Sequence, residues 1–310
     1  MKIYLCISID CECDKGIGWV CRQPLSFSGV AEGLARRLHP LFLQYAAKPT
    51  YLLSAEVMRD EQSVNWLRKI SNQAELGSHL HGEFVDPGAF IPVVTSAFQR
   101  DYSPEIEALK MANLTSLFTE AFGRPPRSFR AGRFGIGRFS LEILQNLGYR
   151  VDSSVTPHVG WEGVGGPSFP SAPTQPYWPN YDRPELPRTT AAANDILEIP
   201  VTILPSTLAA IPFVGKHASG RWLRPTWGSA TSLLSVAKQE IDSAVATGRK
   251  SIVLNCMFHN VEVLPGTSPY ARNELAARSI LDKLEALLKF ATRESISVVG
   301  LSDVREIMGP

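Results

Sequence analysis

Residues 2–14 read KIYLCISIDCECD, an apolar run that ends in acidic residues alternating with cysteines. The first part of this run, residues 2–9, is rich in β-branched and large apolar side chains, which predicts a buried strand. Further along the chain, short apolar runs alternate with segments of helical periodicity, as is typical of an α/β fold with a largely parallel sheet. In barrels of this kind the functional side chains follow the carboxyl ends of the strands. The residues directly after each apolar run are therefore the first candidates for a functional site.

The alternating pattern predicts roughly seven or eight strand–helix units, which fits a barrel of parallel strands. We predict strands at residues 2–9, 50–53, 75–78, 128–130, 149–152, 196–201, 251–256 and 297–299. We predict helices at residues 31–47, 104–122, 141–147, 229–246 and 272–292, and another helix that ends over residues 63–71. Residues 301–307 close the chain. Residues 155–190 are crowded with Pro, Gly, Ser and Trp and lack periodicity. The expected fold is one domain over residues 1–310, an irregular (β/α)7-type α/β barrel with an irregular insertion at about 155–190.

Composition excludes several classes of function. The net charge is +1, with 31 basic against 30 acidic side chains, so the chain has no basic surplus for nucleic acid. No apolar stretch reaches the roughly 20 residues that span a bilayer, and the amino terminus lacks a signal-peptide pattern. Five cysteines form an odd set that does not suggest a disulfide framework. A cytoplasmic location is the default expectation, and the oligomeric state is not predicted.

Five predicted strand ends carry residues that can do chemistry. In chain order these are Asp10 with Glu12, His79 with His81, Arg130, Asp152 and His259. Carboxylate and imidazole ligands suit a divalent transition metal such as zinc, which lowers the pKa of a bound water and polarises a carbonyl. A second carboxylate can act as a base, a separate histidine can act as an acid, and an arginine can keep the base ionised. The set therefore predicts a metal-dependent hydrolase.

Each residue of this set also has an ordinary structural interpretation. Asp10 could be a helix cap or turn former, and Asp152 could cap a loop. Arg130 could form a surface ion pair, and His259 could be a hydrogen-bonded core histidine. His79 and His81 alternate and so share one face of an extended strand, which favours ligation, and a pair of hydrogen-bonded structural histidines is the alternative. The joint placement at five strand ends favours the functional interpretation.

Cys11 and Cys13 lie among the acidic residues and could bind zinc as thiolates. On an extended strand, however, they face away from Asp10 and Glu12. We therefore predict that both cysteines are buried in the apolar core.

The segments at these strand ends resemble the motifs of the polysaccharide deacetylase family, the NodB-homology group or carbohydrate esterase family four. The resemblance covers nearly the whole chain in the family's order. It is carried by SIDCECD (8–14), ELGSHLHGE (75–83), SFRAGRFGIG (128–137), GYRVDSSVTP (148–157) and NCMFHNVEVLPG (255–266). Within the family, DSSVTP (152–157), GGPSFPSAP (165–173) and HNVEVLPGTSPY (259–270) resemble a subgroup associated with cell-surface glycan synthesis.

The resemblance implies an enzyme that removes an N-acetyl or similar N-acyl group from an amino sugar or polysaccharide precursor. It implies a divalent metal ion, expected to be zinc, with cobalt and nickel as alternatives. By this resemblance the metal ligands are Glu12, His79 and His81. The catalytic residues are Asp10 as the base, Arg130 orienting it, His259 as the acid and Asp152 supporting His259.

The sequence departs from the family pattern at three places. Cys11 separates two acidic residues that are usually adjacent, and Ala131 stands where a proline usually follows the arginine. The histidines are two residues apart instead of four, and position four after His79 is Glu83, so a His79–Glu83 ligand pair is an alternative to His79–His81. These departures leave open a different substrate, such as a small cyclic amide or a formamide, and a non-catalytic carbohydrate-binding protein.

The irregular segment 155–190 is a candidate wall for sugar rings, and a surface flap that packs its own aromatic side chains is the alternative. Its candidate side chains are His158, Trp161, Tyr177, Trp178 and Tyr181. Trp161, His158 and the nearby Arg133 are the predicted substrate-binding residues, and a carbohydrate is the predicted partner.

Overall fold

The computed structural model describes residues 1–88, 98–206 and 220–309. In these ranges the strands are β1 (Lys2–Cys11), β2 (Thr50–Leu53), β3 (Glu75–Leu80), β4 (Ser128–Ala131), β5 (Val151–Asp152), β6 (Leu197–Glu198), β7 (Ile203–Leu204), β8 (Arg221–Trp222), β9 (Ser251–His259) and β10 (Ser297–Val298). The α-helices are α1 (His39–Gln44), α2 (Ala55–Arg59), α3 (Glu61–Lys69), α4 (Pro104–Phe122), α5 (Ser140–Asn146), α6 (Ala230–Ala246), α7 (Glu274–Arg293) and α8 (Leu301–Met308). A π-helix, Gly29–Leu38, runs directly into α1.

The main sheet is parallel throughout. Strand β1 lies at its centre, pairs with β9 along one edge, and pairs with β10 and then β2 along the other. The sheet continues from β2 through β3, β4 and β5 to β6. Helices follow most of the strands, and the arrangement confirms the predicted irregular (β/α)7-type barrel.

Beyond β6 the chain turns back towards β9. The backbone N–H of Thr202 donates to the carbonyl of Asn255 at 3.0 Å, and the N–H of Asn255 donates to Thr202 Oγ1 at 2.8 Å. In chain order, the antiparallel pair of β7 with β8 lies between β6 and β9, and the sequence did not predict this pair. The pair places Trp222 beside the carboxyl ends of the sheet.

Strand β1 alternates between two environments because successive side chains point to opposite faces of a sheet. Its apolar face, together with Cys11 and Cys13, belongs to the core packed under the helices, and both cysteines are fully buried as predicted. Ser8, Asp10 and Glu12 occupy the opposite face, where they are buried polar groups that need partners. Strand β1 therefore delivers two carboxylates to one end of the barrel.

Helix α4 has the predicted bounds because both of its ends carry local signals. Ser103 caps the first turn by accepting from the N–H of Ile106, and Pro104 occupies the first helical position. Gly123 ends the helix at φ +70°, in the left-handed region that glycine adopts without steric cost.

Candidate active site

The carboxyl ends of β1, β3, β4 and β9 bring the predicted residues together. In the ladder Asp10 is opposite His259, and His79 is opposite Arg130. The β1–β9 pairing is continuous up to His259, the last residue of β9, and so fixes Asp10 opposite His259. Of the seven residues predicted at the five strand ends, six therefore form one spatial cluster: Asp10, Glu12, His79, His81, Arg130 and His259.

Glu12, His79 and His81 form a group with the donor set of a metal site. Glu12 Oε1 lies 3.2 Å from His79 Nε2 and 2.9 Å from His81 Nε2. One ligand atom from each residue lies within 4.8 Å of the other two, and all three side chains are buried. The outer nitrogen of His79, Nδ1, lies 3.0 Å from the carbonyl oxygen of Arg130, which fixes the ring. Two imidazoles and a carboxylate fit a divalent ion such as zinc and leave a coordination position open.

Two residues that the sequence analysis missed hold Glu12. Lys15 Nζ lies 2.8 Å from Glu12 Oε2, so that Oε1 is the carboxylate oxygen turned to the histidines. Asn260 accepts from the backbone N–H of Glu12 at 2.9 Å and donates to its carbonyl at 3.0 Å. Burial alone would raise the pKa of Glu12, but the charges of Lys15 and His81 outweigh it and hold the pKa well below its ordinary value. Glu12 is therefore an anion in the folded protein.

Glu83, the alternative to His81, lies on the outer side of that histidine. Its Oε1 is 3.3 Å from His81 Nδ1, and Arg133 holds the same oxygen at 2.7 Å. The predicted substrate residue Arg133 is thus engaged with Glu83 at the edge of the site.

Burial would lower the pKa of His81, but the Glu12 carboxylate outweighs it and raises the pKa to about 10. A Cβ at Gly132 would lie 3.0 Å from His81 Nδ1, so this glycine allows the close approach of β4 to the histidine.

Asp10 and Arg130 form a fully buried ion pair. Arg130 Nη1 donates to Asp10 Oδ1 at 2.7 Å, and its other nitrogens donate to Ser8 and to both oxygens of Ser153. Burial alone would raise the pKa of Asp10, but the charges of Arg130, His79 and His259 outweigh it and lower the pKa. The free oxygen, Oδ2, lies 3.9 Å from the Nε2 atoms of both His79 and His259. Asp10 is therefore an ionised carboxylate facing the centre of the cluster.

The carboxylate that supports His259 is Glu262, and the prediction that Asp152 has this task is wrong. His259 Nδ1 lies 2.7 Å from Glu262 Oε1, within one turn of chain. Arg224 and Thr226 donate to the same carboxylate, and Arg224 Nη2 lies 3.4 Å from His259 Nδ1. Burial alone would raise the pKa of Glu262, but Arg224 and His259 outweigh it and lower the pKa. The Nδ1 atom of His259 thus contacts the Glu262 carboxylate, and its Nε2 atom faces the cluster.

Asp152 pairs instead with Glu198, its direct neighbour on β6. Both carboxyl groups are buried, Asp152 accepts from Ser154 Oγ at 2.6 Å, and Glu198 accepts from the N–H of Val155 at 3.0 Å. Burial and the neighbouring Asp152 raise the pKa of Glu198 well above its ordinary value, and burial also raises the pKa of Asp152. The pair therefore favours retention of a proton to a higher pH than an ordinary carboxyl group would.

This retained proton predicts a stability difference that depends on pH. The unfolded chain releases the Glu198 proton near pH 4.5 and the folded chain keeps it, so wild-type stability falls as pH rises from about 4.5 to the folded pKa. One such proton contributes a slope of about 1.4 kcal/mol per pH unit. The Glu198→Gln side chain cannot ionise. In denaturant titrations, the unfolding free energy of the variant minus that of the wild type should therefore become more positive between pH 5 and pH 7. A difference that does not change with pH would contradict the protonated pair.

The predicted wall of segment 155–190 is only partly at the site. Trp161 stacks with Phe134 at 5.9 Å between ring centroids and faces Trp222 at 6.5 Å. The other aromatic side chains of the segment pack locally: Tyr177 donates to Pro184, Trp178 lies under Arg305 and Tyr181 under Arg188. His158 is half-buried with φ +64°, and no hydrogen bond or ion pair described for it reaches the cluster. The flap interpretation thus describes most of this segment.

Comparisons with known proteins find likeness in structure alone. No protein-family model and no curated protein matches the sequence. A structure described as a glycoside hydrolase/deacetylase from Parabacteroides distasonis aligns with a TM-score of 0.68 at 12% identity, over 99% of this chain and 71% of that one. One described as a polysaccharide deacetylase from Pseudomonas aeruginosa gives 0.57 at 15% identity, over 98% of this chain and 89% of that one. The chain has the polysaccharide deacetylase fold.

The same fold also occurs in a structure named Puue allantoinase, which aligns with a TM-score of 0.57 at 14% identity over 98% of this chain and 89% of that one. The polysaccharide deacetylase fold thus accounts for the position of the cluster but does not identify its substrate, because one fold supports several chemistries. Among the residues that the structure describes, no helix is both long and apolar enough to cross a membrane.

Proposed function

We propose that the protein is a metal-dependent hydrolase that removes an N-acetyl group from an amino sugar or its polymer. The observation that carries the proposal is the meeting of three groups at one end of the barrel. A buried Glu12–His79–His81 donor set, an ionised Asp10 and a hydrogen-bonded His259 all face the same centre. Hydrolysis of an unactivated amide needs all three functions: stabilisation of negative charge, a base and an acid.

The donor set would hold a divalent ion, for which zinc is our choice because the ligands are two imidazoles and one carboxylate. When bound, such an ion supplies a polarised water and stabilises negative charge that develops on the amide oxygen. Lys15 and Asn260 keep Glu12 in place for this task. The fixed outer nitrogens of His79 and His81 orient their inner nitrogens towards the centre.

Asp10 is placed to take the proton of the attacking water. Arg130 holds one oxygen of the carboxylate and keeps the group ionised, while Oδ2 remains available on the side of the cluster. A base that is fully ionised at neutral pH and rigidly held loses little entropy in the transition state. Ser8 and Ser153 fix the guanidinium of Arg130, so the base is positioned through two layers of hydrogen bonds.

His259 is placed to protonate the departing amine. Its Nε2 lies 3.9 Å from Asp10 Oδ2 and 3.8 Å from Glu12 Oε1, and its Nδ1 is held by Glu262. An anion on Nδ1 stabilises the imidazolium that must exist before the proton leaves Nε2. Glu262 and Arg224 therefore position the acid without touching the reacting atoms.

Glu262→Gln should lower kcat for acetate release by about 10- to 10³-fold, with little change in KM. The amide keeps the shape of the side chain but removes the anion that stabilises protonated His259. Bound metal, measured by elemental analysis, should be unchanged because Glu262 lies outside the donor set. A variant with the kcat of the wild type would show that Glu262 has no part in the acid's function.

The test of the proposed function is product identity. The purified protein, supplied with zinc, is incubated with N-acetylglucosamine and its oligomers, and the released acid is identified by nuclear magnetic resonance. Acetate release that requires Asp10 and His259 supports deacetylation. No acetate from any of these sugars, with a ring-opened acid from a cyclic amide such as allantoin, would instead support the second candidate, which rests on the fold shared with an allantoinase.

A non-catalytic carbohydrate-binding protein is the remaining alternative. It would need neither an arginine-bound base nor an anion-supported imidazole. Binding of an N-acetylated sugar without release of any acid, in the metal-loaded protein, would favour it over both hydrolases.

A further inference from the structure

Among the described residues, exposed aromatic side chains are concentrated at one place. In the part of the chain that the structure describes, the exposed large aromatic side chains are Trp19, Trp227 and Tyr270, with exposed fractions of 37%, 43% and 37%. They come from three separate segments, yet they contact one another and His259. Large exposed apolar surfaces that cluster in this way mark a binding site more often than scattered single residues do.

The three rings belong to a longer set of contacts that we call the aromatic row. Along the row, neighbouring ring centroids lie 5.7–6.5 Å apart in the order Trp19, Tyr270, Trp227, Trp222, Trp161, and Phe134 lies 5.9 Å from Trp161. One end of the row is at the proposed acid, because Trp19 meets His259 at 5.1 Å. The other end is above the base, because the Arg130 guanidinium lies 5.9 Å from the ring of Phe134. The row therefore borders the proposed catalytic centre from acid to base.

The exposed rings are held from below. The guanidinium of Arg224 lies 4.6 Å from the ring centroid of Trp227 and 5.5 Å from that of Tyr270, and Arg224 itself is buried. Contacts between the exposed rings are edge to face, at interplanar angles of 66° and 75°. Rings fixed in this way offer a preorganised surface, and a ligand that covers them loses little side-chain entropy on their account.

We propose that Trp19, Tyr270 and Trp227 form a sugar-stacking subsite that binds the part of a glycan chain beyond the acetylated unit. The inference rests on the proposed function, since it extends the same catalytic centre. Faces of pyranose rings carry C–H groups that pack on aromatic faces, and the spacing of the row is comparable with the length of a sugar unit in a chain. The contacts of the Trp227 ring are with Trp222, Tyr270 and Arg224, which lie outside the cluster, so hydrolysis of a small cyclic amide should not depend on Trp227. The occupant of the row is therefore an oligosaccharide of N-acylated amino sugars.

The test compares a tetramer with a single sugar. Tetramers of N-acetylglucosamine with β-1,4 and with β-1,6 linkages are assayed beside the monosaccharide, using the zinc-loaded full-length protein. For the preferred tetramer, kcat/KM relative to that of the monosaccharide should fall by about tenfold in Trp227→Ala, the effect of losing one well-packed aromatic contact. Trp227→Phe should recover most of the ratio. Leu109→Ala, a control at an exposed apolar residue on α4, should leave the ratio unchanged.

A binding measurement separates failure of the subsite from failure of the proposed function. Calorimetric titration of Asp10→Asn with the tetramers should show tighter binding than with the monosaccharide, and Trp227→Ala in that background should remove the difference. If the tetramer binds through Trp227 but no acetate is released by the wild type, the subsite stands and the deacetylase proposal fails. If acetate is released from monosaccharide and tetramers with equal kcat/KM, or if no tetramer binds, the subsite is overturned.

Discussion

Asp10→Asn is expected to lower kcat for acetate release by about 10²- to 10⁴-fold, the usual contribution of a general base. The substitution keeps the shape of the side chain but removes the negative charge that accepts the proton of water. Bound zinc should remain near the wild-type level, because Asp10 is not one of the three converging donors. A single preparation thus distinguishes loss of the base from loss of the metal.

The control for this prediction addresses the buried ion pair. Asp10→Asn leaves the Arg130 guanidinium without its anion, and breaking a buried pair costs about 3–5 kcal/mol of stability. Urea unfolding of the variant therefore has to show that it is folded under assay conditions. Ser153→Ala also removes a hydrogen bond from Arg130 but retains the base, so its kcat should fall far less. Equal losses in the two variants would assign the effect to Arg130 instead of Asp10.

His79→Ala and His81→Ala are expected to weaken zinc binding by more than about 100-fold, because each removes one of three buried donors. Glu83→Gln should weaken it by about 10- to 100-fold, the usual effect of a residue that orients a ligand from outside. Competition with a chromogenic chelator measures all three affinities on one scale. The order matters because the sequence alone allowed Glu83 as the ligand in place of His81.

The opposite order would change the ligand set. If Glu83→Gln lost zinc completely while His81→Ala retained it, Glu83 would be the ligand and its contact with His81 Nδ1 would not describe the metal-loaded protein. Arg133→Gln serves as the matched control, since it removes the partner of Glu83 without removing any donor. It should have no larger effect on zinc affinity than Glu83→Gln.

The parts of the fold that carry local signals could be predicted from the sequence. Strand β2 and helix α4 have the predicted bounds, the helix because Ser103, Pro104 and Gly123 mark its two ends. The antiparallel pair of β7 with β8 could not be predicted. Each of its strands has two residues, too few for an alternating pattern, and what brings them together is the chain's return to β9.

The candidate site divides in the same way. Residues that end long strands, such as Asp10, His79 and His259, follow from pattern and topology, because parallel strands place their carboxyl ends side by side. Arg224 and Trp227 lie in an irregular stretch. The positions of Arg224 beside His259 and of Trp227 beside Tyr270 depend on the path of the chain after β6.

The error over Asp152 has a local cause. Asp152 and Glu198 end neighbouring parallel strands, both of which were predicted, so their pairing could have been inferred from the order of the sheet. Glu262 reaches His259 because a short 3-10 turn, Asn260–Glu262, folds back directly after β9. That turn has no strong sequence signal.

The most direct test of the central claim is a zinc titration of the chelator-stripped wild type, with bound metal and acetate release measured on the same samples. The proposal predicts that acetate release from N-acetylglucosamine oligomers falls to background on stripping. It should return in proportion to bound zinc up to about one ion per chain. Acetate release that persists in the stripped protein, or a chain that binds none of zinc, cobalt and nickel, would contradict a metal-dependent deacetylase.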